Sequence, residues 1–276
     1  MGWKPLCSND PLLDALQQVY KAIPLRSPAT NVQPLQVIRS DGSQTDRLGS
    51  LNDALAGTGT INVPLQTAKN IDALAHSSRK INLSLGLDIL GPFLKAFGLS
   101  TIGLDTAFDG ASEVSFSFTG VERTYVEALA LGKAMRGQRL DVENPALMVF
   151  ADPASPWGFY VIDSILTSPN ISVKVETSAD ASFKLNVPAI QQILGNVKAG
   201  VSVSSADGRQ LSVTGSVPLT FAFSVFQFYL DDGKVASIDP GAQIDTFGFA
   251  AAQDADAPKR VLLTDKPAML SWDASA

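Results

Sequence analysis

The chain has 276 residues, of which 45% are hydrophobic and 17% charged, and its formal net charge at pH 7 is −6. This length allows one large domain or two small ones, with enough apolar residues for a sizeable core. An acidic chain with sparse Lys and Arg is a poor candidate for binding nucleic acid. One cysteine and one histidine exclude an intrachain disulfide and a zinc-finger spacing, which agrees with a reducing cytoplasm. No secretory h-region and no apolar run near roughly 18 residues is present, so hydropathy favours a soluble protein.

The first part of the chain predicts three short elements. Residues 8–23 carry apolar side chains at helical spacing behind a capping residue, which predicts a helix. Leu35–Arg39 is typical of a strand that ends in a turn. A short helix is expected near Leu48–Ala56.

The centre of the chain alternates apolar and polar residues in residues 81–89, 112–120, 171–187 and 201–217, the last on both sides of a turn at Asp207-Gly208. A period of two predicts strands with one wet and one apolar face. The main alternating apolar positions are Ile81, Leu83, Leu85, Leu87, Val114, Phe116, Phe118, Ile171, Val173, Val175, Phe183, Leu185, Val187, Val201 and Val203.

The remaining segments complete a predicted α+β fold, a twisted and mostly antiparallel central sheet with flanking helices. Residues 121–138 are interpreted as helical, residues 145–167 as two buried strands and residues 217–233 as the most apolar strand. The Asp-, Gly-, Ala- and Pro-rich stretch 233–258 is typical of a long loop. The apolar segment after it, residues 261–272, is expected to dock on the body of the protein.

Catalytic motifs are missing from the sequence. It has no nucleophile elbow, phosphate-binding loop or His-Glu-x-x-His motif, and predicts neither a metal site nor a cofactor. His76 in a catalytic role needs a partner that sequence does not reveal, and a surface or capping role is the simpler interpretation. The pairs of carboxylates are interpreted as solvated turn acids; they are Asp109 with Glu113 and Asp231 with Asp232. We therefore predict that the chain is not an enzyme.

One compact basic cluster consists of Lys133, Arg136 and Arg139. The simplest interpretation is a solvated helix face. The alternative is contact with lipid head groups, which reward basic clusters by about 1 kcal/mol per charge.

The stretch from Trp157 to Gly233 resembles the second half of a gasdermin pore-forming domain. The resemblance rests on the order of three elements: the strand Phe159-Tyr160-Val161-Ile162-Asp163-Ser164-Ile165-Leu166, an alternating hairpin, and a strand that opens with Val217-Pro218 and continues to Phe223. The early helix, the strand Gln33–Ile38 and the short tail are similar to the bacterial gasdermins, which lack the large C-terminal domain of the animal proteins. The resemblance covers essentially the whole chain.

The resemblance implies an autoinhibited pore former of bacterial antiphage defence. It implies residues 1–245 as pore-forming domain, 246–260 as protease-sensitive linker and 261–276 as inhibitory peptide. A protease cuts the linker, and protomers then oligomerise and insert two hairpins, here residues 75–120 and 168–205, into the inner membrane. The protein is cytoplasmic before cleavage, and its partners are the protease, membrane lipids and further copies of itself.

The resemblance also assigns roles to the two ends of the chain. Cys7 matches the N-terminal cysteine that carries a palmitoyl group in bacterial gasdermins. The cut is placed at a caspase-like site, Asp254 or Asp256, or at a trypsin-like site, Lys259-Arg260, with a slight preference for the basic pair. The inhibitory contacts are assigned to Val261, Leu262, Leu263, Leu270 and Trp272.

Two alternatives remain open at this point. The first is a soluble β-rich binding module without membrane activity, because one wet face and one apolar face also describe a soluble sheet. The second is a hydrolase with an unrecognised site that uses His76.

Overall fold

The computed structural model describes residues 22–41, 45–57, 59–69, 81–152, 154–178, 183–186, 189–190 and 201–239. Within these ranges eleven strands form one sheet, and every pairing between them is antiparallel. The strands are β1 (Ile23–Ala29), β2 (Gln36–Ser40), β3 (Thr45–Ser50), β4 (Leu65–Lys69), β5 (Ile81–Asn82), β6 (Ala111–Thr119), β7 (Glu122–Val126), β8 (Gly158–Ser178), β9 (Ser202–Ala206), β10 (Gln210–Asp231) and β11 (Lys234–Asp239). The helices are α1 (Leu83–Ala96), α2 (Leu104–Ala107) and α3 (Ala128–Met135). The predicted α+β class is confirmed.

Two long strands, β8 with 21 residues and β10 with 22, form the axis of the sheet. They pair from Phe159 and Phe228 at one end to Lys174 and Gln210 at the other. The second edge of β8 is shared by three short strands in succession, β2 first, then β7, then β6. On the far side, β10 also pairs with β1, β9 and β11. One continuous pair of strands therefore connects both halves of the molecule.

The buried side chains form two large clusters along this axis. The cluster at the C-terminal end of β8 is here called the hairpin core. It joins Leu94 of α1 to Phe118, Ile171 and Val213 of the sheet. The cluster at the N-terminal end of β8, here called the base core, joins Leu131 of α3 to residues of the sheet. Its sheet residues include Val37, Val126, Phe159, Val161 and Phe228. A smaller cluster around Tyr160 and Phe223 lies against β1.

The prediction of a strand over residues 81–89 is wrong for this structure. Only Ile81–Asn82 is extended, and the chain continues as the helix α1 through Pro92. The segment carries two periodicities, because Leu83, Leu87, Leu90 and Leu94 also recur at helical spacing. Leu90 and Leu94 are fully buried against the sheet. Packing of that stripe selects the helix.

Several other elements differ from the sequence-based expectation. The stretch 121–138 begins with β7 and becomes helical only at Ala128. Residues 145–150 form turns and a short 3₁₀ helix, Met148–Phe150, where a strand was expected. The helix expected near Leu48–Ala56 is reduced to a 3₁₀ turn, Asn52–Ala54, after β3.

The predictions for the other strands hold in large part. Strand 35–39 appears as β2, strand 112–120 as β6, and the strands at 158–167 and 217–233 as parts of β8 and β10. The alternating hairpin at 201–217 is also confirmed, with Asp207 and Gly208 in its turn at φ 52° and 63°. Such left-handed pairs make the type I′ geometry that matches strand twist. Strand 171–187 ends at Ser178, and Phe183–Asn186 has no regular structure.

The predicted N-terminal helix lies mostly outside the described residues, and Ile23, its last predicted residue, begins β1.

Candidate functional site

Four adjacent strands, β6, β8, β10 and β9, form a sheet with one polar and one apolar face. Their register aligns polar residues across all four strands. One row contains Ser117, Ser172, Ser212 and Ser204, and the next contains Thr119, Asn170, Thr214 and Ser202. We call this part of the molecule the two-faced sheet.

The polar rows satisfy their own hydrogen bonds. The hydroxyls of Ser172 and Ser212 share a hydrogen bond of 2.7 Å, and Asn170 Nδ2 donates to Thr214 Oγ1 at 2.7 Å. One row further along, Lys174 Nζ lies 3.3 Å from Glu176. Hydroxyls, amides and one paired charge therefore line this face, a composition that suits contact with water.

The opposite rows are apolar and buried. One row consists of Phe118, Ile171, Val213 and Val203, and the next includes Phe116, Val173 and Leu211. Ile171 and Val213 have no exposed surface. The ring of Phe118 stacks on Phe221 at a centroid distance of 4.3 Å and tilts against Phe93 of α1 at 5.5 Å. Alternation separates the two faces along β6, β8 and β10, whereas on β9 Val203 is only half-buried and the residue paired with Leu211 is the exposed Ser205.

The structure brings most of the predicted apolar positions together in the hairpin core. Val114, Phe116, Phe118, Ile171, Val173, Val175, Phe183 and Leu185 are buried there, and Leu83, Leu87, Val201 and Val203 pack against it partly exposed. Ile81 pairs with Val114 through the backbone. Leu85 lies in α1, and Val187 lies outside the described residues.

Helix α1 covers the apolar face at very short range. A Cβ atom added to Gly86 of α1 would collide with Val114, and one added to Gly215 of β10 would collide with the ring of Phe97. Both glycines are therefore required by close approach rather than by backbone conformation. The helix is fitted to this sheet, and the apolar rows are closed off from water beneath it.

The basic cluster is divided by the structure. Arg139 Nη2 donates to the backbone oxygen of Asp232 at 2.8 Å and to its carboxylate at 3.1 Å. Lys133 and Arg136 are exposed on α3 and its end. Leu129, one turn before Lys133, is 90% exposed, and spacings of three and four residues place these side chains on one helix face. Sequence reasoning missed Leu129, because helical apolar spacing is equally typical of core residues.

A second feature missed by sequence reasoning is the buried acid Asp163, which is 5% exposed. Its carboxylate lies 4.0 Å from the guanidinium of Arg123 on β7. Burial raises the pKa of Asp163 to about 6, while hydrogen bonding from Ser224 and the charge of Arg123 act to lower it. The available signal was a single charged residue inside the apolar run Phe159–Leu166.

The described part of the chain holds no group of three potential metal ligands. No helix in these ranges is long and apolar enough to span a membrane. Asp109, Asp231 and Asp232 are exposed, as expected for solvated acids, whereas Glu113 lies within β6 and is half-buried, so the prediction of a turn acid is wrong for it. His76, Cys7, the linker with its four cleavage candidates and the predicted inhibitory peptide lie outside the described residues.

Comparison with known proteins places this sheet in a family. The model of the Bacterial Gasdermin Family matches residues 25–235. The chain is 30% identical over 237 residues to gasdermin bGSDM of a Desulfuromonadales bacterium, which covers 84% of this chain and 86% of the relative. It is 30% identical over 246 residues to gasdermin bGSDM of Vitiosangium sp., covering 86% and 88%.

A similar fold is found in the structure of a bacterial gasdermin from Bradyrhizobium tropiciagri, with a TM-score of 0.64 at 15% identity over 85% of this chain and 92% of that one. The family match spans both the two-faced sheet and most of the base core. The chain therefore belongs to the bacterial gasdermin family, and it is a pore-forming protein rather than an enzyme.

Proposed function

We propose that this chain is the autoinhibited precursor of an antiphage pore. Proteolysis within residues 246–260 releases residues 261–276, protomers associate, and their hairpins enter the inner membrane and kill the infected cell. The observation that carries this proposal is the two-faced sheet, whose apolar rows are buried under α1 and whose opposite rows are hydroxyl and amide groups. The precursor stays in the cytoplasm until it is cut.

The dimensions of the sheet suit a membrane. A spanning β-strand needs about 9–11 residues of alternating character, and β6 has 9 residues. In the pore, the apolar rows face lipid and the Ser, Thr and Asn rows face water, while closure of the barrel pairs every strand edge. The proposed hairpins are residues 75–120 and 168–205.

Helix α1 is the element that must move. It lies inside the first proposed hairpin and covers the surface that lipid would contact. When it leaves the sheet and becomes extended, the alternation of Leu83, Leu85 and Leu87 continues an apolar face along the hairpin. The same residues then serve as a cover in water and as a strand in lipid.

The tail supplies the restraint in this proposal. Val261, Leu262, Leu263, Leu270 and Trp272 hold the body of the protein as long as the chain is continuous. A cut makes their contacts intermolecular, which removes the high effective concentration that kept them in place. The basic pair Lys259-Arg260 lies directly before the apolar segment and is slightly favoured over Asp254 and Asp256 as the site.

Two further groups are proposed to contact the membrane. A palmitoyl group on Cys7 adds about 0.8 kcal/mol of affinity per buried CH₂. Lys133 and Arg136 meet lipid head groups while the exposed Leu129 enters the interface. Arg139, which is held by Asp232, contributes less.

We expect liposomes of anionic bacterial lipid to release dye only when the chain has been cut. A recognition site for a specific protease is placed at residues 250–260, and cut and intact protein are compared on the same vesicles. Vesicles without anionic lipid show how much Lys133 and Arg136 contribute. Folded, completely cut protein that releases no dye would refute the pore, and the soluble binding module would become the better interpretation.

The two faces of β9 can be tested with neighbouring substitutions. Val203 belongs to an apolar row and Ser204 to a polar row, and neither is fully buried. Val203→Asp is expected to reduce dye release at least tenfold, since a charge on the lipid face destabilises the inserted strand in every protomer. Ser204→Asp is the matched control and is expected to retain release. Equal loss in both variants would contradict the assignment of the faces.

Movement of α1 can be tested with a disulfide. Gly86→Cys and Val114→Cys place two thiols in contact across the helix and β6, with Cys7→Ser to remove the native thiol. The oxidised, cut protein is expected to release no dye, and reduction is expected to restore release. Val114→Cys alone, treated identically, is the control, because it leaves Gly86 in place. Full release from the oxidised double variant would show that α1 stays on the sheet.

Acylation of Cys7 predicts a chain from its native host that is heavier than the bare polypeptide by one palmitoyl group. Intact mass spectrometry measures this directly, and Cys7→Ser expressed in the same host is the control. A native chain with only the polypeptide mass would contradict this part of the proposal.

A further inference from the structure

Asp163 lies at the point where β8 changes its partners. On one edge, β2 pairs with residues up to Val161 and β7 begins at Ser164. On the other edge, the register with β10 shifts between Ser224 and Val225, which leaves Asp163 without a partner residue. This is a β-bulge, a feature that bends the strand and interrupts its ladder. The junction is therefore weakly paired on both edges of β8.

The carboxyl group at this junction is poorly compensated. The charged side chain against it is Arg123 of β7, whose Nη2 is 4.0 Å from Oδ2, longer than a hydrogen bond. The other oxygen, Oδ1, is buried without a hydrogen-bond partner among the described residues. The Ser224 hydroxyl of β10 supports the carboxylate by a hydrogen bond that lowers its pKa, and it also shares a hydrogen bond of 2.6 Å with Ser164. Burying an ionised carboxylate with so little support is unfavourable.

The charges on the neighbouring elements are engaged elsewhere. Arg39 of β2 is bound to Asp46 at 2.9 Å. Glu122, next to Arg123 on β7, faces Lys69 of β4 at 3.6 Å. The ionisation of Asp163 is therefore governed by burial, by Arg123 and by Ser224.

A strained residue lies beside the same junction. Leu35 has φ 66°, a left-handed conformation that costs a non-glycine residue roughly 1 kcal/mol or more. Its N–H donates to Ile162 O at 2.8 Å, and its own oxygen accepts from Leu51 N–H at 2.8 Å. The strained residue thus ties the base of the molecule to the residue that precedes Asp163.

The junction also lies between the two large cores, while the smaller cluster around Tyr160 and Phe223 spans it through Ile162 and Ile165. Before it, Phe159 and Val161 belong to the base core, and after it, Leu166 and Ile171 belong to the hairpin core. We propose that Asp163 is a positioning residue for pore opening: its buried, ionised carboxylate keeps the junction between the base and the two-faced sheet ready to separate. This proposal rests on the proposed function, because separation is needed only if the hairpins leave the base.

The effect of pH follows from the direction of the pKa change. The folded chain holds the Asp163 proton up to a pKa of about 6, above the ordinary value for an aspartate. The folded state therefore binds more protons than the unfolded state between about pH 4 and pH 6, and stability falls as pH rises through this window. At pH 8 the destabilisation is fully present, at pH 5 about half of it remains, and it is relieved only below about pH 4.

The test compares Asp163→Asn with the wild type in the full chain. Asp231→Asn, on the exposed end of β10, is the matched control. Asp163→Asn is expected to raise the folding equilibrium constant at pH 8 on the order of 10- to 100-fold, since one pKa unit is a factor of ten. At pH 5 the gain is expected to be about tenfold smaller than at pH 8, and Asp231→Asn is expected to give no gain at either pH. Dye release after cutting is expected to be slower for Asp163→Asn than for the wild type, with a larger difference at pH 8 than at pH 5.

The outcomes separate the two proposals. Denaturant unfolding is independent of membranes, so it tests the carboxylate even if no variant releases dye, in which case the pore proposal fails. An equal gain at both pH values, or no gain at pH 8, would overturn the role of the charge. A pH-dependent gain with unchanged release kinetics would overturn the positioning role.

A second substitution keeps the proposal testable if Asp163→Asn does not fold. Arg123→Gln is expected to destabilise the chain at pH 8 and much less at pH 5, because it removes the main compensating charge. Combined with Asp163→Asn, it is expected to lose this pH dependence. A pH-independent effect of Arg123→Gln would contradict the proposal.

Discussion

The apolar rows of the two-faced sheet need a neighbour other than water, and in this structure α1 provides it. Leu90, Phe93, Leu94 and Phe97 of this region are buried in the hairpin core. Burial of such a side chain contributes about 1.5–3 kcal/mol each. The strand pairing beneath them supplies the frame, but without the helix the strands would present a continuous hydrophobic surface to solvent.

This arrangement makes an exchange of environments energetically plausible. Lipid offers the apolar rows the same relief from water as α1, so the hydrophobic term largely cancels when one replaces the other. What remains are smaller terms: strain at the junction, the backbone pairing that a closed barrel completes, and, in the proposed function, the restraint by residues 261–276. A modest trigger can therefore decide between the two states, as expected for an equilibrium between two packings of one sequence.

The position of α1 on the sheet is determined by close packing rather than by charge. Gly86 lets α1 approach Val114 of β6, and Gly215 lets β10 approach the ring of Phe97, directly after α1, more closely than any other residue would permit. The stacked rings of Phe118 and Phe221 complete the surface below the helix. On the opposite face, short hydroxyl and amide side chains satisfy one another across strands, so that face tolerates water without reorganisation.

The amino-acid sequence by itself determined the strands at 112–120, 171–178 and 201–217. A polar residue at nearly every second position excludes a helix with one apolar face. The family resemblance and the α+β class also followed from the order of these segments. Residues 81–96 could not be assigned in this way, because their leucines fit both a strand and a helix.

Only the tertiary structure shows that these leucines belong to a helix. The apolar stripe of α1 is stabilised by the sheet that it covers and not by local helix preference. The alignment of Ser117, Ser172, Ser212 and Ser204 likewise depends on strand register, which pairs residues that are 55, 40 and 8 positions apart in the sequence. In the sequence, Asp163 is a single acidic residue within an apolar strand. Its proposed role depends on a β-bulge, on a change of strand partners and on Arg123, which is close in space but distant in the sequence. All three arise from long-range contacts.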